Sequence, residues 1–157
     1  MTVALYYKKS LQTWKKEADD GDSKAALWAA LVYERKLVPD SSPEKSVPYL
    51  LQAAESGNLT AQGLLAFKYR DGLGVPQDAA KAVEWFEKAA SRKDLGAVME
   101  LGIMFRDGKY LPPDREKAFH WFEKGAEWKD PYSMAALADM LLEGTPSAEQ
   151  AARALAL

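Results

Sequence analysis

Ala61-Gln-Gly-Leu-Leu-Ala-Phe-Lys-Tyr-Arg-Asp-Gly72 returns thirty-six residues later as Ala97-Val-Met-Glu-Leu-Gly-Ile-Met-Phe-Arg-Asp-Gly108. Lys81-Ala-Val-Glu-Trp-Phe-Glu-Lys-Ala-Ala90 returns at the same offset as Lys117-Ala-Phe-His-Trp-Phe-Glu-Lys-Gly-Ala126. Self-similarity at a fixed period of this size is the mark of a repeat architecture. The frame extends both ways without a gap: Ala25, Ala61, Ala97 and Ser133 share one column, Ala29, Leu65, Leu101 and Leu137 another, and Tyr33, Tyr69, Phe105 and Leu141 a third. In the second half of the unit Tyr49, Trp85, Trp121 and Leu157 share a position, and Leu50, Phe86, Phe122 and Trp14 the next one.

Each unit reads as two helices. Asp22, Asn58, Asp94 and Asp130 stand at one frame position, where a short polar side chain accepts a backbone N–H of a first helix. Pro131 follows at a first helical position. Ser42, Asp78 and Asp114 supply caps for the second helices, and Gly72 and Gly108 end the first helices in a left-handed residue. Lys36 occupies that place in the first unit, so its turn is either strained or differently shaped. Pro48, inside the second helix of that unit, is expected to delay or bend it by a turn.

Small and large residues alternate on one face of each helix, and a single hairpin cannot cover such faces alone. Stacking like hairpins buries them continuously, so the fold class is an all-α solenoid of antiparallel helix pairs. The reading takes residues 1–157 as one repeat domain: a leading helix at 4–20, repeats at 23–58, 59–94 and 95–130, and a partial repeat at 131–157. Ser147 with Gln150 forms a capping box for the last helix.

Composition narrows the function classes. Lysine and arginine number 21 against 23 acidic residues, and the dense basic sites, Lys8-Lys9 and Lys15-Lys16, are answered at once by Glu17, Asp19 and Asp20. Nucleic acid is therefore not an expected partner. The longest apolar run, Ala25–Tyr33, falls well short of the roughly 20 residues that span a bilayer, so no membrane insertion is expected. Cysteine is absent, which removes disulfides, thiol nucleophiles and thiolate metal sites. The N-terminus lacks a basic start, an apolar stretch and a small-residue cleavage site, which reads as cytoplasmic as written, or as periplasmic or secreted if a signal peptide has been removed.

The inventory for catalysis is thin. His120, the single histidine, shares a variable column with Pro48 and Glu84 and so is assigned to the outer surface of a second helix. Gly72-Leu-Gly-Val-Pro-Gln77 lacks the third glycine of a dinucleotide fingerprint and follows a helix. In Glu17-Ala-Asp-Asp-Gly-Asp22, Lys24 stands where a calcium loop needs a ligand. No catalytic residue, cofactor or metal is expected. An enzyme or small-molecule binder using the groove is the competing class, for which a stoichiometric metabolite or metal in the purified protein would be the sign.

The pattern Ala-x3-Leu-(Gly/Ala)-x2-(Tyr/Phe)-x2-Gly, followed by Pro-x-Asp, Lys-Ala and Trp-Phe-x-Lys-Ala-Ala, resembles the Sel1-like repeat, a relative of the tetratricopeptide repeat. The first unit departs from it at Lys36, Pro48 and Tyr49, and the disulfide-bearing subgroup is excluded. The resemblance implies a right-handed superhelix acting as a binding scaffold or adaptor for a protein or peptide, most often in bacteria. It also implies, as an alternative, an immunity protein that neutralises a secreted bacterial toxin.

With first helices on the concave side, as in the related repeats, the columns two and six residues past the small-residue column face the groove. The expected partner-binding residues are Leu27, Leu31, Phe67, Met99 and Ile103 as apolar anchors, and Arg35, Arg70, Asp71, Arg106, Asp107 and Asp139 as polar ones. The opposing reading is that these apolar side chains fill a narrow superhelix while the Arg-Asp pairs are solvated or bridge repeats. Trp85 and Trp121 are assigned to the core, Trp28 to a cover over the leading helix, and Trp128 is the tryptophan most open to exposure. An end helix without its usual neighbour offers an apolar face to a second copy of the chain, so a homo-oligomer is compatible with the reading.

Overall fold

Residues 3–143 and 147–156 are described by a computed structural model, the side chains of residues 3–6 and 9 excepted. The described residues form α1 (Val3–Asp19), α2 (Ser23–Glu34), α3 (Pro43–Glu55), α4 (Leu59–Asp71), α5 (Ala79–Ala90), α6 (Leu95–Asp107), α7 (Arg115–Glu127), α8 (Pro131–Leu142) and α9 (Ala148–Leu155), with no strand among them. They group into two compact units, Met1–Ala89 and Ala90–Leu157.

The helix starts follow the frame. Asp22 accepts from the backbone N–H groups of Lys24 and Ala25, Asn58 from Ala61, Asp94 from Ala97 and Asp130 from Ser133. Asp78 and Asp114 accept in the same way from Lys81 and Lys117 at 3.0 Å. Ser42 departs from the expectation: its side chain makes no cap, and its hydroxyl turns to Glu44, whose carboxyl it holds below the usual range. The Lys45 N–H, which such a cap would serve, donates instead to the Ser42 carbonyl at 3.1 Å. The capping box of α9 is present, Ser147 and Gln150 satisfying each other's backbone N–H.

Gly72 and Gly108 end α4 and α6 in the left-handed region, at φ 71° and 66°. Lys36 takes the same conformation at φ 52°, and the Leu37 N–H reaches back to the Val32 carbonyl at 3.0 Å. Of the two alternatives for this turn, the strained one is realised: the closure is kept and a side chain bears its steric cost. Pro48 does not delay α3, which starts at Pro43, in frame with Ala79 and Arg115. Pro48 and Glu44, whose carbonyl loses its partner, are both exposed, so water can serve that carbonyl.

In the first unit α1, α2, α3 and α4 pack each against the next. Leu11, Ala29, Val32, Tyr33 and Val38 are buried together, with Trp14 and Tyr49 packed on them. The Gln52 amide of α3 donates to the Ala18 carbonyl of α1, and the Gln62 amide of α4 to the Ala54 carbonyl of α3. In the second unit α6, α7, α8 and α9 follow the same order. Phe122 is fully buried, and Gly102 leaves room for its ring, because a Cβ there would overlap it.

Trp85 and Trp121 lie in the core, and Lys88 and Lys124 cover their rings from the next turn, at 3.8 and 5.1 Å from the centroids. Among the described residues the most exposed large aromatic is Trp28, at 53%, whereas Trp128 is half-buried. Leu157, assigned to the Trp85 column, lies outside the described residues.

Candidate functional site

The first helices carry the residues of interest. Their small columns are buried, which turns the positions two and six residues further along the helix toward its edge. Leu27 and Leu31 on α2, Phe67 on α4, and Met99 and Ile103 on α6 are each half-buried, and Asp139 on α8 is exposed.

In the first unit, Phe67 meets Phe86 edge-on with ring centroids 5.1 Å apart, and the Arg70 guanidinium stacks on Phe67 at 4.7 Å. Asp71 holds that guanidinium in a fork, accepting from Nε at 2.9 Å and Nη2 at 2.8 Å. In the second unit Asp107 accepts from Arg106 Nε at 2.6 Å, and the Arg106 guanidinium lies 5.6 Å from the Phe122 centroid. The hydrogen bond that Arg106 donates to Asp107 raises the Arg106 pKa above its ordinary value, against the desolvation that lowers it. The Arg-Asp pairs thus act as caps over aromatic rings, each arginine held by its chain neighbour.

The first repeat reverses the order, with Glu34 in the arginine column and Arg35 in the aspartate column. Glu34 turns inward and pairs with Lys68 at 2.6 Å, a lysine only 5% exposed that also donates to the Leu73 carbonyl at 3.1 Å. Ser46 donates to the same carboxylate. Arg35 takes part in no ion pair among the described residues.

Arg35 and Leu31 line a cleft of about 280 Å³ in the first unit, walled by Tyr7, Trp14 and Trp28 and closed by Val32 and Leu37. Trp14 and Trp28 stack with centroids 6.0 Å apart and planes 28° from parallel. The structure therefore joins Leu31 and Arg35 in one cleft and Phe67, Arg70 and Asp71 in one stacked cluster. Leu27 on α2 and Met99 and Ile103 on α6 stay half-buried outside these two groups, and Asp139 on α8 is exposed.

Column-by-column reading missed the aromatic walls of the cleft, because Tyr7 and Trp14 belong to the half unit that precedes the first repeat. It also missed Lys68, although a lysine among Val32, Met104 and Met140 was the available signal. His120 is exposed, its ring 5.4 Å from Trp121. No group of three or more His, Cys, Asp or Glu among the described residues is placed to hold a metal ion, and no described helix is long and apolar enough to cross a membrane.

A model of the Sel1 repeat matches residues 23–58, 60–94, 96–127 and 131–157. The chain belongs to the Sel1 repeat family. Sel1 repeats form all-helical solenoids and serve generally as non-catalytic scaffolds for protein–protein interaction. Among solved structures, the chain is similar to a protective antigen of uropathogenic Escherichia coli with an SLR fold, at 28% identity and a TM-score of 0.75 over 93% of this chain and 33% of that one. It is also similar to a Sel1 repeat protein of Oxalobacter formigenes, at 26% identity and a TM-score of 0.67 over 79% of this chain and 49% of that one. Cysteine rich protein B of Helicobacter pylori shares the fold at 23% identity, with a TM-score of 0.59 over 87% of this chain and 98% of that one. The chain thus spans a third of the antigen's length and about half of the Oxalobacter protein's. No curated protein matches it.

Proposed function

We propose that this Sel1 chain is a non-catalytic scaffold that holds a partner protein or peptide along the open edges of its first helices. Leu27, Leu31, Phe67, Met99 and Ile103 supply apolar contact, and Arg35, Arg70, Asp71, Arg106, Asp107 and Asp139 supply polar and charged contact. The observation that carries this reading is that the same two columns remain half-buried on α2, α4 and α6, although the column just before each of them, Ala26, Gln62 and Val98 or Ala30, Ala66 and Gly102, is buried. Apolar surface left open beside charged groups is the usual mark of an interaction site. The family's general role as a protein-binding scaffold supports the same conclusion.

The test is the double variant Phe67→Asp with Ile103→Asp, compared with the unaltered chain in capture of native partners from the source organism, with circular dichroism to establish that both are folded. Loss of the captured protein from a folded variant supports the reading. Undiminished capture by a folded variant removes it.

A further inference from the structure

We propose that the cleft between α1 and α2 receives a segment of the partner protein in which an aromatic side chain is followed by an acidic one, the ring entering beside Trp14 and Trp28 and the carboxylate meeting Arg35. This inference rests on the scaffold reading above and names the chemistry of what one part of the scaffold takes.

The cleft has room for a ring. Its volume of about 280 Å³ exceeds the roughly 150 Å³ of a cavity known to accept benzene. The walls favour an aromatic occupant, because the stacked indoles of Trp14 and Trp28 line the cleft, and aromatic pairs gain beyond the area they bury. Trp28 is 53% exposed in a column where the other repeats place Leu64, Glu100 and Ala136, so the repeat pattern does not require a tryptophan there.

Charge supplies the second half of the argument. The rim arginines of the next two repeats, Arg70 and Arg106, are each paired with the aspartate that follows them. In the first repeat the reversed order sends the acid, Glu34, inward to Lys68. Arg35 is left exposed at the cleft, with no carboxylate paired to it among the described residues. An occupant that carries a carboxylate next to its ring satisfies both features at once.

A second copy of this chain carries the proposed order, aromatic then acidic, only in its core. The aromatic residues followed directly by an acidic one are Tyr33, Phe86 and Phe122, and all three are buried, at 8%, 1% and 0% exposure. The occupant is therefore assigned to a different protein.

The experiment titrates the full chain with the blocked peptide acetyl-Ser-Gly-Phe-Glu-Gly-Ser-amide, and with its Gln counterpart, while following the indole N–H resonances of Trp14 and Trp28. The expected result is a saturable shift of both indoles, with affinity about three- to fivefold weaker for the Gln peptide, the effect of one exposed charge pair. In Arg35→Gln, an exposed position that leaves the core untouched, the two peptides should bind alike, and in Trp28→Ala both should lose binding. Unmoved indoles, equal affinity for the two peptides, or a preference that survives in Arg35→Gln would each overturn the proposal. Native partner captured undiminished by Trp28→Ala and Arg35→Gln would overturn it too, while leaving the scaffold reading in place.

Discussion

The Lys68 ammonium lies 2.6 Å from the Glu34 carboxylate, joining α4 to α2 through a charge that occupies an otherwise apolar column. Lysine is almost never buried to 5% exposure without a partner, and here Glu34 and the Leu73 carbonyl are the partners. The same contact withdraws Glu34 from the surface and so separates it from Arg35.

Removing one member of this pair should cost more than removing both. Glu34→Ala is expected to destabilise by about 3 kcal/mol, because a buried ammonium loses its counter-charge. Glu34→Ala with Lys68→Met, which restores the residue type of Met104 and Met140, should recover most of that loss. Urea unfolding of the two single variants and the double variant measures the coupling.

In the second unit Gly125 faces Ser133, whose hydroxyl donates to Asp130 at 2.6 Å. Their columns hold Ala89 and Ala97 one period earlier and Ala53 and Ala61 two periods earlier, so the glycine compensates for the bulk of the serine. Gly125→Ala would place a methyl inside van der Waals contact with Ser133 Oγ. The expected loss is about 1–2 kcal/mol, despite the better helix propensity of alanine. Adding Ser133→Ala should remove most of the loss, and thermal unfolding of the variants checks this.

The turns that lead into the first helices close with Gly21, Gly57, Lys93 and Lys129, all at positive φ. At φ 61°, Lys129 bears a steric cost that glycine does not. Lys129→Gly is expected to stabilise by about 0.5–1 kcal/mol, the relief being partly offset by unfolded-state entropy. Gly57→Ala, at φ 82°, should destabilise by about 1–2 kcal/mol. Denaturant midpoints read both.

Asp114 caps α7, and its hydrogen bond from the Lys117 backbone holds its carboxyl below the ordinary aspartate value of 3.8, against a smaller opposing effect of desolvation. A carboxyl depressed in the folded state contributes stability that is complete above its unfolded pKa and is lost as pH falls through the lower folded one. Asp114→Asn keeps a capping acceptor without that titration. Its stability should fall less steeply than that of the unaltered chain between about pH 4 and pH 2. Acid titrations followed by circular dichroism compare the two slopes.

The frame of the fold is legible in the sequence because its signals are chemical and recur. Asp22, Asn58, Asp94 and Asp130 carry a capping oxygen at every first-helix start, and Gly72 and Gly108 mark the turns that follow. Where the residue type carries no conformational signal, the structure goes beyond the sequence. A lysine gives no hint of the left-handed geometry that Lys36, Lys93 and Lys129 adopt, since the closing hydrogen bonds impose it. Pro48 shows the opposite case: a residue type with a strong signal is overridden because the carbonyl it leaves unpaired sits where water reaches it. The candidate site divides in the same way. The half-buried columns follow from helical periodicity, but the aromatic cleft needs the leading helix placed beside α2, which no column comparison supplies.

Hydrogen–deuterium exchange of the chain with and without its captured partner tests the scaffold reading most directly. The account predicts added protection in α2, α4 and α6 at Leu27, Leu31, Phe67, Met99 and Ile103, with α3, α5 and α7 unchanged. Protection confined to the second helices, or absent from every helix at saturating partner, would contradict it.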